Sequence, residues 1–319
     1  MNKLMITLAV CAGLAACGSS ARSDTAAPGR EAAAPAAQNP AAAPVFDFAA
    51  RTVTLNSGHK MPIIGIGVFT LTDEEAENTV LAALKEGYRL IDTAHIYGNE
   101  EAVGRAVRKS GIPREEIFIT SKLWTGDFAN AAAEIDKMLK RLDTGYIDLL
   151  LLHHPAEHDK AAYKAMEEAV KAGKVRSIGL SNYYEKEFAD IMSVAGITPA
   201  VVQNETHPYN QWQALKPQLE RYGTVIESWY PLGGRDRYGR GGTQTLFADP
   251  VIAAIAKKHG KSPAQIILRW HLQNGFIAIP GTRNPKYVKE NIDIFDFELD
   301  AGDMAQIKGL DKQQRFSTF

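Results

Sequence analysis

From Arg51 onward the chain alternates short aliphatic runs with longer helical patterns, and this alternation restricts the fold more than any other feature. The strand candidates are 63–67, 88–92 (YRLID), 117–122 (IFITSK), 147–153 (IDLLLLH), 175–181 (VRSIGLS), 200–205 (AVVQNE), 224–229 (TVIESW) and 276–280 (FIAIP). Short, nearly continuous apolar runs suit strands buried on both faces of a parallel sheet. Amphipathic stretches such as 130–142 (NAAAEIDKMLKRL) and 160–173 (KAAYKAMEEAVKAG) separate them. Strict strand–helix alternation predicts an α/β fold with helices packed on a parallel sheet. Eight units between Arg51 and Phe319 favour closure into a (β/α)8 barrel, typically roughly 250 residues long, over an open doubly wound sheet. Gly65-Ile-Gly67 lacks the third glycine of a dinucleotide-binding turn, so it does not argue for the open sheet.

Local signals refine this outline. TVTL, NSGH and KMPIIGIG read as a β-hairpin leading into the first strand. Thr72-Asp73-Glu74-Glu75 opens a helix as a capping box, and Gly87 stops it after Glu86. Two helices stand outside the repeat, at 249–259 and 300–311.

The first seventeen residues differ in kind. ITLAVCAGLAA is an apolar run of eleven residues, too short to span a bilayer as a helix, and it reads as the core of a signal peptide. It ends in Leu14-Ala15-Ala16-Cys17, which resembles the lipobox of bacterial lipoproteins, with lipidation expected on Cys17. An ordinary secretory peptide cut nearby is the alternative. Each buried CH2 of an acyl chain contributes roughly 0.8 kcal/mol, so several chains anchor firmly. Residues 18–49 are Ala/Pro-rich and read as a disordered tether, since they offer little surface to offset ordering entropy. The expected organisation is leader 1–17, tether 18–49 and barrel domain 50–319, lipid-anchored in the cell envelope and facing the periplasm. The two cysteines, Cys11 and Cys17, both precede residue 18. That excludes a disulfide framework, a cysteine nucleophile or a cysteine metal site in the domain. A net charge of −1 gives no reason to expect a nucleic-acid partner.

Polar residues gather where the strands end, and in a (β/α)8 barrel all those ends open on one face. They are Asp92, Lys122, His153, Ser181 with Asn182, Gln203 and Trp229 on successive strands, with Tyr97 five residues past Asp92. Singly, each has a plain structural reading as an ion pair, a core histidine or a packed aromatic. Together they suggest a site. A tyrosine with a pKa of about 10 is a poor acid–base group at neutral pH, and the Lys122 ammonium would lower that value. Asp92 would balance Lys122. A neutral His153 would orient a carbonyl oxygen. Such a site protonates an oxygen as it gains negative charge. No side chain supplies hydride, so a nicotinamide cofactor is implied. Ser181, Asn182 and Gln203 suit its carboxamide, and Trp229 its ring. His154 is expected to pack outside or above the site, because alternate strand residues point to opposite sides.

The sequence at this point resembles the aldo-keto reductase family. GYRLIDTAHIYGNEEAVG (87–104), ITSKLW (119–124), LLLHHP (150–155), IGLSNY (178–183), VVQNETHPYN (201–210) and IPGTRNPKYVKENIDIFDFEL (279–299) match the family's motifs in order. The resemblance covers roughly 51–312. It implies a catalytic tetrad of Asp92, Tyr97, Lys122 and His153. It also implies NADPH as the usual cofactor, with NADH as the alternative, and hydride transfer to an aldehyde or ketone. Thr282, Arg283 and Asn291 fall in its cofactor-binding stretch. Phe69, Trp124 and His153 are expected around a small carbonyl substrate, in a monomer bound to the membrane only through its lipid.

Three positions depart from the family pattern. Trp229 stands where a tyrosine commonly stacks on the nicotinamide. Gly281 and Thr282 replace the usual lysine and serine near the adenosine 2′-phosphate. Tyr287 stands where an arginine is usual, leaving Arg283 and Lys286 to supply charge. The Gly/Arg-rich loop 231–247 either folds over the cofactor or is solvated. Two other functions stay open on the sequence: a cofactor-binding regulatory or scaffold protein with the same fold, and a metal-dependent barrel enzyme. His153 and Asp92 alone are too few ligands for the latter.

Overall fold

The computed structural model describes residues 44–234 and 241–317. The leader, Cys17, the tether up to residue 43 and the middle of the 231–247 loop lie outside the described residues. Among the described residues, no helix is long and apolar enough to cross a membrane.

Three short antiparallel strands come first: β1 (Val45–Asp47), β2 (Thr52–Thr54) and β3 (Lys60–Pro62), in the order β1-β2-β3. The expected hairpin is β2–β3, its turn closed by Leu55 N donating to His59 O at 2.9 Å. Residues Val45–Asp47, within the stretch read as tether, form strand β1 against β2. Two aromatics account for this. Phe46 packs over Gly275, and Phe48 lies under the Arg269 guanidinium at 4.9 Å.

Eight parallel strands then follow in chain order around one sheet: β4 (Ile66–Gly67), β5 (Leu90–Asp92), β6 (Phe118–Leu123), β7 (Ile147–Leu152), β8 (Val175–Ser181), β9 (Val201–Glu205), β10 (Val225–Trp229) and β11 (Phe276–Ala278). Ile64 bridges Ala278 in parallel, and Gly65 N donates to Ala278 O at 2.9 Å. The first and last strands therefore meet, as a (β/α)8 barrel requires. The Gly65-Ile66-Gly67 run serves this closure. A Cβ on Gly65 would sit 2.4 Å from the Leu90 side chain. Both glycines allow close strand approach, and a Cβ on Gly67 would sit 3.1 Å from Ile279 O.

The helices outside the sheet are α1 (Asp73–Lys85), α2 (Glu100–Lys109), α3 (Ala131–Leu142), α4 (Asp159–Lys171), α5 (Glu185–Met192) and α6 (Leu215–Glu220). They continue as α7 (Gly242–Phe247), α8 (Pro250–His259), α9 (Pro263–Gln273), α10 (Pro285–Ile292) and α11 (Ala301–Lys308). The Thr72–Glu75 capping box forms as expected, and Ser262–Gln265 and Asp300–Asp303 repeat it at α9 and α11. The two extra helices are α8 and α11. The short α7 has no sequence forewarning.

Strand residues such as Ile91, Ile119, Leu149, Leu151 and Val202 are fully buried, and each such side chain contributes about 1.5–3 kcal/mol. The β2–β3 turn covers the end of the barrel where strands begin. There Asn56 donates to Pro199 O and Tyr222 O at 3.1 Å, and Ser57 meets Ser177 at 2.8 Å. The opposite end, where strands finish, is left for a site.

Candidate active site

Register brings the sequence candidates together. Asp92, the last residue of β5, lies opposite Gly67 and Thr120, and Lys122 in β6 lies opposite Leu151. His153 follows β7 directly, its N–H donating to Leu123 O at 3.1 Å. Ser181 at the end of β8 pairs with Gln203 of β9, and Trp229 ends β10.

Tyr97 comes from the β5–α2 connection. His95–Tyr97 is one turn of 3₁₀ helix, and Gly98 ends it with a φ of +70°, a left-handed conformation that favours glycine. Two side-chain clasps fix this turn. His95 Nδ1 meets Asp127 Oδ2 at 2.6 Å. Thr93 Oγ1 donates to Asn99 Oδ1 at 2.7 Å, while Asn99 donates to Val68 O and Leu71 O at 3.0 and 3.2 Å.

The Lys122 side chain is fully buried. Its ammonium donates to Asp92 Oδ1 at 2.7 Å, Asp92 Oδ2 at 2.8 Å, Thr93 O at 2.8 Å and Tyr97 OH at 3.4 Å. Burial opposes the lysine's charge, but Asp92 and then Tyr97 outweigh it and hold its pKa above the ordinary value. Burial likewise pushes the Asp92 carboxyl upward, against the pull of Lys122 and Gln203.

The Tyr97 phenol departs from expectation. Burial raises it above the ordinary tyrosine value, and the lowering by Lys122 only partly offsets that. Lys122 acts in the expected direction but does not win while the phenol is enclosed. The phenol is therefore protonated in the neutral range.

His153 is pushed down to about 2, by burial first and then by the Lys122 and His154 charges, so it is neutral. Its Nδ1 is buried without a partner. Its ring stands edge-on to Tyr97 at 5.7 Å and to Trp124 at 5.3 Å. His154 does not pack outside the site, since it lines the same cavity. It stacks on His153 at 5.0 Å and 16°, because β7 ends at Leu152 and strand alternation stops there.

A cavity of about 1030 Å³ joins these groups. Phe69, Tyr97, Trp124, His153 and Asp92 line it on the tetrad side. Ser181, Asn182, Gln203 and Trp229 line the wall beyond, and Thr282, Arg283 and Asn291 the far reach by α10. Among the described residues, every catalytic, cofactor and substrate candidate except the enclosed Lys122 and the outlying Lys286 thus lines one space. Lys286 is not part of that lining. Arg283 is, but it already pairs with Glu75 at 2.5 Å.

The residues fit a nicotinamide cofactor. Trp229 Nε1 donates to Asn182 Oδ1 at 3.1 Å, which fixes the indole. Gln203 spends its nitrogen on Asp92 and on Glu227, each at 2.7 Å, which leaves its oxygen for a donor such as a carboxamide. The bound cofactor would supply hydride.

The aldo/keto reductase family profile matches residues 63–312. The chain belongs to the aldo/keto reductase family. This aldo/keto reductase is similar to morphine 6-dehydrogenase of Pseudomonas putida, 42% identical over 268 residues, covering 81% of this chain and 90% of that protein. It is also similar to glyoxal reductase of Bacillus subtilis, 42% identical over 268 residues, covering 83% and 94%. The crystal structure of an aldo/keto reductase from Brucella melitensis superposes with a TM-score of 0.76 at 42% identity, covering 82% of this chain and 99% of that one. The chain is an oxidoreductase that uses a nicotinamide cofactor to reduce aldehydes or ketones to alcohols.

Two features of this reductase escape the sequence reading. Glu227 lies buried in β10 beside Gln203; its signal was a carboxylate inside the apolar run TVIESW. Glu205 ends β9 and anchors the C-terminal residues Phe316 and Ser317, a contact no local pattern announces.

Proposed function

We propose that Tyr97 is the proton donor in this carbonyl reduction, and that Asp92, Lys122 and His153 make it effective. The observation that carries this is the Lys122 ammonium, held between Asp92 at 2.7 Å and the Tyr97 hydroxyl at 3.4 Å in a fully buried site. As hydride reaches the carbonyl carbon, negative charge grows on its oxygen. The Tyr97 O–H transfers its proton to that oxygen, and the resulting phenolate faces the ammonium. His153 stays neutral, and its Nε2–H orients the carbonyl oxygen, since Nδ1 is enclosed. In alcohol oxidation the proton moves the other way. Replacing Tyr97 with Phe removes the acid and leaves the ring. General acid catalysis contributes on the order of 10²–10⁴-fold, so kcat falls by that factor while cofactor affinity, read by tryptophan quenching, stays within about twofold. Unchanged turnover in Tyr97→Phe sinks the mechanism. A scaffold role would leave this variant without phenotype, and no observation favours it.

Phe69, Ile96 and Trp124 give the substrate an aromatic and aliphatic approach, which supports apolar or planar carbonyl compounds. Comparing kcat/KM for benzaldehyde and glyoxal tests this, and a preference for glyoxal goes against it. NADPH is the proposed cofactor, with Arg283 as the charge for its 2′-phosphate. Tighter quenching by NADH than by NADPH would refute that choice. The proposed location is the envelope, with Cys17 lipidated, the domain facing the periplasm and the enzyme monomeric. Cells fed a radioactive fatty acid should label the wild type and not Cys17→Ala, and an unlabelled wild type ends the proposal.

A further inference from the structure

Beneath the tetrad lies a carboxyl that the reaction does not use. Glu227 is fully buried in β10, opposite Gln203 in register. Its Oε2 accepts from Gln203 Nε2 at 2.7 Å, and its Oε1 is buried with no partner. The same Gln203 nitrogen donates to Asp92 Oδ2 at 2.7 Å. Both hydrogens of that amide are thus spent on two carboxyl groups. A flipped amide would turn its oxygen against the Asp92 carboxyl, whose two oxygens already accept from the Lys122 ammonium, so the nitrogen faces the barrel interior.

Stability alone does not explain Glu227. A buried carboxyl with one oxygen unsatisfied is costly, and an apolar side chain of similar size would pack there at lower cost. We propose that Glu227 is a positioning residue of the reductase site: with Asp92 it locks the Gln203 amide so that its oxygen faces the cavity and accepts from the nicotinamide carboxamide. This rests on the reading of Gln203 as a carboxamide contact. The lock also links Glu227 to the proton donor, through Gln203, Asp92 and Lys122 to Tyr97.

The link has a pH signature. The titratable groups facing Glu227 are Asp92 on β5 and Lys122 on β6, with Tyr97 beyond them. Burial first, then the Asp92 charge, push Glu227 up to about 8, against Gln203 and Lys122. It is therefore mostly neutral at pH 7 and ionises above that. Once ionised it raises the Tyr97 phenol further, so proton donation weakens as pH rises through about 8.

Two variants of the full-length enzyme test the lock. Glu227→Leu removes the acceptor. Its NADPH dissociation constant, by tryptophan quenching, should rise about tenfold, as losing a buried hydrogen-bond partner implies. Stereospecifically deuterated cofactor should then deliver label from both faces of the ring instead of one. Glu227→Gln keeps an oxygen for Gln203, so affinity and face selectivity should stay near wild type. It cannot ionise, so the fall of kcat above pH 8 should disappear. Unchanged affinity and face selectivity in Glu227→Leu overturns the proposal, as does a wild-type pH profile in Glu227→Gln. If Glu227→Leu fails to fold, Glu227→Met, which is of similar length and lacks the carboxyl acceptor, gives the same two readouts of affinity and face selectivity. Gln203→Leu separates the premise from the lock: wild-type affinity and face selectivity there would remove the carboxamide reading, and the proposal with it.

Discussion

Two buried glutamates on neighbouring strands end in opposite charge states. Glu205 closes β9 and Glu227 lies in β10, both fully enclosed. Glu205 accepts from the backbone N–H groups of Phe316 and Ser317, the Ser317 hydroxyl, His207 and Arg315. Burial pushes its carboxyl up, but His207, Ser317 and the Phe316 N–H outweigh that and hold it down at about 2. Glu227 has the Gln203 amide and a neighbouring Asp92, and burial wins there. Burial is common to both, so the supply of donors sets the charge. Around Glu205 the donors come from His207 and the C-terminal tail, and the result is a latch. Around Glu227 they are scarce, and the result is a titratable floor under the active site.

The comparison breaks most directly at Glu205. Glu205→Gln puts an amide nitrogen among donors and should cost about 3 kcal/mol of stability, as when a buried pair loses one partner. Urea unfolding measures it. Residues 311–317 do not line the cavity, so kcat of the folded enzyme should stay within about twofold. A collapse of kcat with intact stability would erase the distinction between latch and floor. The pH dependence carries the same message. The carboxyl stands near 2 in the fold against an ordinary 4.5, so its stabilisation is complete above about 4.5 and is lost as pH falls through about 2. The shift corresponds to roughly 3 kcal/mol. Glu205→Gln should remove that part of the acid transition.

Asn99 should show an intermediate effect, because it serves stability and site at once. It is buried and ties Thr93, Val68 and Leu71 around the turn that carries Tyr97. Asn99→Ala leaves two carbonyls without their donor and should cost about 2 kcal/mol. The loosened turn should also lower kcat about tenfold, since small misplacements of a reacting group are costly. A stability loss without a rate loss would mean that the His95–Asp127 clasp holds Tyr97 unaided.

Much of this was legible beforehand, for a physical reason. Strands buried on both faces must be apolar along their length, so Asp92, Lys122 and His153 stood out at the ends of such runs. The capping box at Thr72 is local and equally readable. What was not legible depends on distance or register. Phe46 and Phe48 sit in an Ala/Pro-rich stretch and gain their meaning only against Gly275 and Arg269. Glu205 meets Phe316 across 111 residues of sequence. Glu227 was visible as a carboxylate in an apolar strand, but only the pairing with Gln203 shows its use. For Tyr97, the sequence shows the lowering charge of Lys122 but not the depth of burial that outweighs it.

Arg315 should give the smallest effect and the finest test of donor counting. Its Nε reaches Glu205 Oε2 at 3.2 Å and its Nη2 reaches Ser317 Oγ at 2.9 Å, with about a third of the side chain exposed. If backbone and hydroxyl donors hold Glu205, Arg315→Ala removes one contact among several. The loss should then be under about 1 kcal/mol, the range of partly exposed ion pairs. The variant carries a second readout. Burial first and then the Arg315 charge hold His154 below its ordinary value, so NMR titration should show His154 moving upward. A loss of several kcal/mol would place the latch in the Arg315–Glu205 ion pair instead of the tail's N–H groups. Glu205 and Glu227 would then differ by one cation and not by their supply of hydrogen-bond donors.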